Sequence, residues 1–278
     1  MSEWTEIIQP KRKWYHINIS ELWRYRDLIM IFVRRDIVAV YKQTIVGPLW
    51  YLLQPFLTTV VFTVIFDKMA HLSTDGLPSV LFYMSGITAW NYFAACLTKT
   101  SQTFIVNASI FGKVYFPRLT VPISVVISNL ITFGVQLLFF LCFWIYYYSQ
   151  GAAIQISTYI FILPLLVIIM ALMGLGFGII ISSLSTKYKD LQHLVVFGVQ
   201  LLMYSTIIIP LSSIPVKYQW IFSLNPMISI TEAFKFILLG NGTFSWYSLG
   251  YSSIFTIVTL ITGLLLFNKI EQRFIDTI

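Results

Sequence analysis

The chain has 278 residues, of which 58% are hydrophobic, 17% aromatic and only 10% charged, and its mean hydropathy is +0.80. Soluble domains carry about 25% charged residues. A chain this apolar has too little polar surface to cover a soluble core, so a soluble enzyme and a disordered chain are excluded and a polytopic membrane protein is expected. The net charge of +7 reads as basic residues gathered at one membrane face rather than as a surface for nucleic acid.

Residues 1–42 are polar and charged and form a first segment. No cleavable leader is expected, because the first long apolar run starts only after Lys42. Ser20 is placed to cap a helix beginning at Glu21. Leu22, Tyr25, Ile29, Phe32 and Val33 then recur on one face, and Glu21, Arg24, Asp27, Arg34 and Arg35 fall largely on the other. This predicts an amphipathic helix lying in the membrane interface. Leu22, Ile29 and Phe32 form its apolar side, and Arg24, Arg34 and Arg35 face the phosphates.

Apolar runs long enough to cross a core of about 30 Å follow from Gln43 to Asn268, and residues 269–278 form a charged tail. Gln43–Phe66 and Gly76–Thr98 are uncharged. Leu119–Thr186 is too long for one helix and breaks at Ser149, Gln150, Gly151 and Gln155 into two spans. Leu191–Val216 is the fifth span. The sixth lies within Phe236–Asn268 and starts near Trp246, after Gly240-Asn241-Gly242. The runs are continuous, not alternating, which argues against a β-barrel. The expected fold is therefore all-α and integral to the membrane, with six transmembrane helices.

Six spans put both termini on one side. Fifteen basic residues fall on that side, eight of them before the first span, and only Lys68, Lys217 and Lys235 fall on the other. This bias predicts cytoplasmic termini. Between spans five and six, Pro215 and Pro226 interrupt a segment whose apolar run Ile228–Leu239 is too short to cross and too apolar for water. A re-entrant pair of outer helices is expected there, with Pro226, Glu232 and Lys235 forming an outer gate and the last two spaced to pair on one helix face.

Little in the chain suggests catalysis. His16, His71 and His193 are scattered, Cys96 and Cys142 lie in apolar runs, and no metal-ligand spacing occurs. No phosphate-binding GxxxxGK[ST] loop is present, so no ATP or other cofactor is expected in this chain. Proton- and ion-coupled carriers place ionisable groups within their spans, and here the spans hold essentially none. Trp50, Tyr51, Trp90, Tyr92, Phe133 and Tyr204 sit in or at the ends of spans. Aromatic faces stack on the C–H faces of sugars, so these six are candidates for a glycan path, against the plainer reading of interface and lipid contact. Gly174 and Gly178 have the spacing of a close helix contact, within the subunit or across a dimer.

Arg35-Asp36, then Tyr41-Lys42-Gln43-Thr44, Gly47, Leu49-Trp50 and Gln54-Pro55, resemble the start of the membrane subunits of polysaccharide-exporting ABC transporters, the type-2 exporter permeases. Lys113–Arg118 with Pro122 is similar to their loop between spans two and three, and Asn225-Pro226 fits as well. The resemblance runs from about Ile19 to Phe274. It implies a homodimer around a translocation path in the bacterial inner membrane. Two copies of a separate ATP-binding subunit, which holds ATP and Mg, would dock on the cytoplasmic side. The cargo would be a lipid-linked surface polysaccharide such as O-antigen, capsule or teichoic acid. On this reading the loop from Lys99 to Arg118, with Ser101, Gln102, Asn107 and Lys113, couples to the ATPase. Lys187, Lys189 and Asp190 make a second cytoplasmic contact. Two other readings stand beside it: an exporter of small lipids or drugs in the same fold, and a membrane-embedded glycosyl or lipid transferase. The transferase would want paired acids near the cytoplasmic face, where Asp27 and Asp36 lie nine residues apart.

Overall fold

A computed structural model describes residues 19–43, 49–111, 113–114, 116–185, 188 and 190–275. Among the described residues it is all-helical, and no strand occurs. Helices α1 (Ile19–Arg24) and α2 (Arg26–Gln43) come first. They differ from the sequence reading in two respects: Ser20 lies within α1 rather than capping a helix at Glu21, and Gln43 closes α2 while the first span, α3 (Trp50–Phe62), starts at Trp50. The polar run Arg34-Arg35-Asp36 does not end α2, because its side chains face outward while Ile29, Phe32 and Val33 are buried.

The first span continues beyond Phe62 as a π-helical stretch, Thr63–Met69. Pro55 lies inside α3. It has no N–H, so the carbonyl of Tyr51, four residues earlier, loses its helical donor. Gln136 replaces that donor from another helix, its Nε2 donating to the Tyr51 carbonyl at 3.2 Å. The described spans that follow are α4 (Ser79–Ser101), α7 (Thr120–Ser149), α8 (Leu163–Ser185) and α12 (Trp246–Ile275). Short helices α5 (Thr103–Val106) and α6 (Ala108–Phe111) connect α4 to α7. A 3-10 turn, Thr158–Ile162, leads into α8. Helix α9 (Leu191–Ile207) has 17 residues and reaches about 26 Å, enough for most of an apolar core of about 30 Å.

Helix α4 is the centre of the subunit. Every residue from Leu81 to Trp90 is buried, and α3, α7, α8, α9 and α11 (Pro226–Leu239) all pack on it. Glycines let α8 come close on two sides. A Cβ at Gly174 would stand 2.7 Å from Cys96 Cβ, and one at Gly178 would stand 2.5 Å from Thr100 Cβ, both on α4. Gly176 points the other way, where a Cβ would meet the Leu260 backbone of α12 at 3.0 Å. The Gly174 and Gly178 pair therefore packs within the subunit.

Helix α10 (Val216–Ser223) and helix α11 meet at 97°, a sharp bend at the position the prolines mark. Asn225 and Pro226 set the bend. The Asn225 side chain accepts from Met227 N at 3.1 Å as N-cap, and Pro226 fills the first helical position, where a missing N–H costs nothing. The same Asn225 donates through Nδ2 to Thr206 Oγ1 of α9 at 3.0 Å. Gly240 ends α11 at φ 78°, a left-handed conformation natural to glycine.

Candidate functional site

Two ends of the bundle are distinguished by charge. At the basic end, Phe32, Phe104, Phe111, Phe116, Leu119, Val121, Ile179 and Phe267 form a separate apolar cluster. It receives the apolar face of α2: Phe32 and Phe116 rings lie 5.7 Å apart, and Phe104 stacks on Phe267 at 4.8 Å. Leu22 packs partly against the same cluster. Ile29 and Phe32 are therefore buried by the protein itself. Arg24, Arg34 and Arg35 are exposed along α1 and α2, with Arg35 paired to Asp36 at 2.8 Å. Among the described side chains, the apolar ones of these helices left outside include Trp23, Met30, Ile31 and Val38, which periodicity did not single out.

The α5–α6 segment sits beside this cluster and is tied to α8 and α12, while the end of α4 just before it is tied to α8 and α7. Ser182 Oγ of α8 accepts from Phe104 N at 3.4 Å, and Ser185 Oγ donates to the Ser101 carbonyl at 3.5 Å. Phe267 reaches it from α12. Lys99 donates through Nζ to Asn129 Oδ1 of α7 at 2.8 Å. Of the residues expected to make a partner contact, Ser101 and Asn107 are buried and serve the local fold. Gln102 is half-buried at the end of α4, and Lys113 is exposed. The exposed side chains of the segment also include Ile105, Val106, Ser109 and Val114. Asp190 is exposed at the start of α9; Lys187 and Lys189 lie outside the described residues.

The six aromatics proposed for a glycan path do not form one group. Trp90, Tyr92 and Phe133 are buried among helices of the same subunit, Tyr92 and Phe133 with rings 5.1 Å apart. In this conformation they are packing residues. Trp50 is 55% and Tyr204 38% exposed, and Tyr51 is half-buried. Two polar side chains that sequence reasoning passed over lie with the exposed pair. Gln54 follows Trp50 by four residues on α3, and Gln200 precedes Tyr204 by four on α9, so each couple shares a helix face; both glutamines are exposed. Helices α3 and α9 meet where the rings of Phe62 and Tyr204 lie 6.0 Å apart. An amide facing lipid is costly, so an exposed face of aromatic and amide groups suits a polar occupant. The available signal was a glutamine inside an apolar run.

At the opposite end, α11 is almost wholly buried, including Glu232 and Lys235 at 2% and 1% exposure. Their ion pair is 3.2 Å long and lies within α11. Pro226 is buried too, its carbonyl accepting from Ser252 Oγ of α12 at 2.9 Å. Helix α10 differs, with Tyr218, Trp220 and Ile221 exposed. Of the expected outer element, then, α11 is the seated part and α10 the part on the surface. Among the described residues no three His, Cys, Asp or Glu side chains gather in a way that could hold a metal ion.

Comparison with known proteins is consistent along the chain. The family model described as ABC-2 type transporter matches residues 27–239. An O-antigen export system permease protein of Klebsiella pneumoniae is 28% identical over 255 residues, covering 90% of this chain and 94% of that protein. One from Myxococcus xanthus is 26% identical over 222 residues, covering 79% and 83%. A polysialic acid transport protein of Escherichia coli is 23% identical over 245 residues, covering 87% and 93%.

Proposed function

The chain belongs to the ABC-2 type transporter family, and from that premise we propose that it is the membrane-spanning subunit of an ATP-driven exporter of a lipid-linked surface polysaccharide. The observation that carries this reading is that similarity to two kinds of polysaccharide exporter, for O-antigen and for polysialic acid, extends over almost the full length of both this chain and theirs. It favours polysaccharide over small lipids or drugs as cargo. On this reading two copies sit side by side in the bacterial inner membrane with their termini in the cytoplasm, so the basic end is cytoplasmic and the α10–α11 end outer. The exposed faces of α3 and α9 in the two copies enclose the path. Trp50 and Tyr204 offer ring faces to sugars, and Gln54 and Gln200 offer hydrogen bonds to their hydroxyls.

ATP and Mg belong to the partner subunit, and the chemistry they supply is phosphate release by hydrolysis there. This chain's part is mechanical. The partner seats on the exposed surface of α5–α6, at Val106 and Lys113, with Asp190 nearby in the second loop. Because α5–α6 follows directly on α4 and is held to α8 by Phe104 N on Ser182 and to α12 by Phe104 on Phe267, displacement there moves the spans as packed rods rather than one loop alone. At the outer end α10 is the moving cap and α11 its seat. Residues Ile29 and Phe32 hold α2 on the bundle, while Trp23, Met30 and Arg34 meet the cytoplasmic leaflet, where each basic group contributes about 1 kcal/mol.

The test is purification of this chain from its native membrane. An ATP-binding subunit should co-purify, and lipid-linked polysaccharide from the same cells should stimulate its ATP hydrolysis. Isolation without an ATPase, or hydrolysis indifferent to the polymer but stimulated by short lipids, would overturn the reading.

A further inference from the structure

The ion pair between Glu232 and Lys235 cannot by itself tie two helices together, because both residues lie on one turn of α11. The contact that leaves α11 is a different one. The Lys235 ammonium stands 3.8 Å from the centroid of the Phe82 ring on α4, well within the range of about 6 Å for a cation on a ring face. Four residues along the same face of α4, Gly86 makes room for the lysine stem. A Cβ there would come within 3.5 Å of Lys235 Cε and 3.0 Å of Ile207 Cγ2 on α9. The ammonium of α11 is thus set against α4, at a glycine where α9 also comes close.

The carboxylate has its own cover. At Gly242, φ 131°, an added Cβ would stand 3.6 Å from Glu232 Oε2, so the loop after α11 lies close over the acid, and Asn241 Nδ2 pins that loop to the Asp75 carbonyl at 3.0 Å. A charge this deep is costly unless it is paired. Glu232 makes the burial of Lys235 tolerable, and Phe82 gives the buried charge a partner on the neighbouring helix.

We propose that Lys235 is the positioning residue of the outer closure and that it seats α11 on α4 through the ring face of Phe82. This rests on the reading of α10 as the outer cap and α11 as its seat. It has a directional consequence. Exchanging the two charges, Glu232→Lys with Lys235→Glu, preserves the ion pair but sets a carboxylate against the negative face of the ring. A salt bridge that acts only as a salt bridge would tolerate the exchange, whereas a seat made by Lys235 on Phe82 does not.

The experiment uses the complete complex of this chain and its ATPase in lipid vesicles loaded with carboxyfluorescein, without ATP. The wild-type complex should retain the dye. Lys235→Met, Phe82→Leu and the exchanged pair should each leak about tenfold faster or more, the scale of a desolvated cation–π contact. The double variant Phe82→Leu/Lys235→Met should leak no faster than the worse single one, since both remove the same contact. Lys235→Arg and Phe82→Trp, which keep a cation on a ring face, should retain the dye. Retention by the exchanged pair, or additive leakage in the double variant, overturns the proposal. If the charge variants fail to insert, the comparison of Phe82→Leu with Phe82→Trp decides it: equal leakage overturns, and leakage by the leucine variant alone supports. Polymer-stimulated hydrolysis by the wild-type complex is read in the same vesicles, so loss of that signal with the leak pattern intact sinks polysaccharide export and leaves the seat standing.

Discussion

Replacing Gly178 by alanine adds one methyl group where α8 meets α4. The new Cβ would stand 2.5 Å from Thr100 Cβ and 2.9 Å from the Leu97 carbonyl oxygen, where carbon atoms rest at about 3.5–4.0 Å. Neither neighbour is the free end of a flexible side chain, so the two helices must part by about 1 Å. Overpacking of this kind costs about 1–3 kcal/mol. The methyl also raises helix propensity by about 1 kcal/mol over glycine, which partly hides the clash. Gly134→Ala on α7 supplies the same propensity, and nothing lies within 4 Å of its new atom. The difference between the two variants isolates the clash at about 1–3 kcal/mol. Thermal unfolding in detergent should place Gly178→Ala below Gly134→Ala by roughly 2–4 °C per kcal/mol. Equal midpoints would refute the claim that α4 and α8 meet backbone to backbone along this seam.

Three further outcomes follow from particular contacts. Gln136→Leu removes the donor that serves the Tyr51 carbonyl in place of Pro55 and should lower stability by about 1 kcal/mol; Pro55→Ala, which restores the helical donor, should recover much of the loss in the same unfolding assay. Asn225→Ala removes both the cap of α11 and the bond to Thr206, a cost of about 1 kcal/mol for the cap alone, whereas Asn225→Asp retains the cap, so the alanine variant should unfold first. In a background lacking Cys96 and Cys142, a cysteine at Val106 should crosslink to the ATP-binding subunit in the assembled complex, while one at the buried Ser101 should not; the reverse pattern would move the docking surface away from α5–α6.

The span pattern and the bend between α10 and α11 were legible because charge, proline and asparagine mark them locally. Asn225 caps, Pro226 follows, and Gly240 stops the helix, all within one stretch of chain. The start of the first span was misplaced because Gln43 ends an amphipathic helix, and an uncharged residue there carries no sign of which helix owns it. The interior was harder. Lipid is as apolar as a protein core, so Trp90, Tyr92 and Phe133 look the same in sequence whether they face a path, the membrane or another helix, and α4 proves to be covered on all sides. Gln136 and Tyr51 are 85 positions apart, and no local pattern connects them. Glu232 and Lys235 were legible as a pair, but their setting under Phe82 depends on how α11 lies across α4. At the end of α4 and just after it, the family resemblance pointed to Ser101 and Asn107 as contact residues; both bond inward, and the exposed side chains there include Ile105, Val106 and Lys113.

The most direct test of the account is where the polysaccharide goes when this chain is removed. Deletion of the chain in its own host, with the synthesis enzymes intact, should leave the surface without polymer and accumulate full-length lipid-linked polymer on the cytoplasmic side of the membrane, measured by antibody or lectin labelling before and after permeabilisation; expression of the chain from a plasmid should return the polymer to the surface. Polymer reaching the surface at its normal length and amount in the deletion would contradict the account.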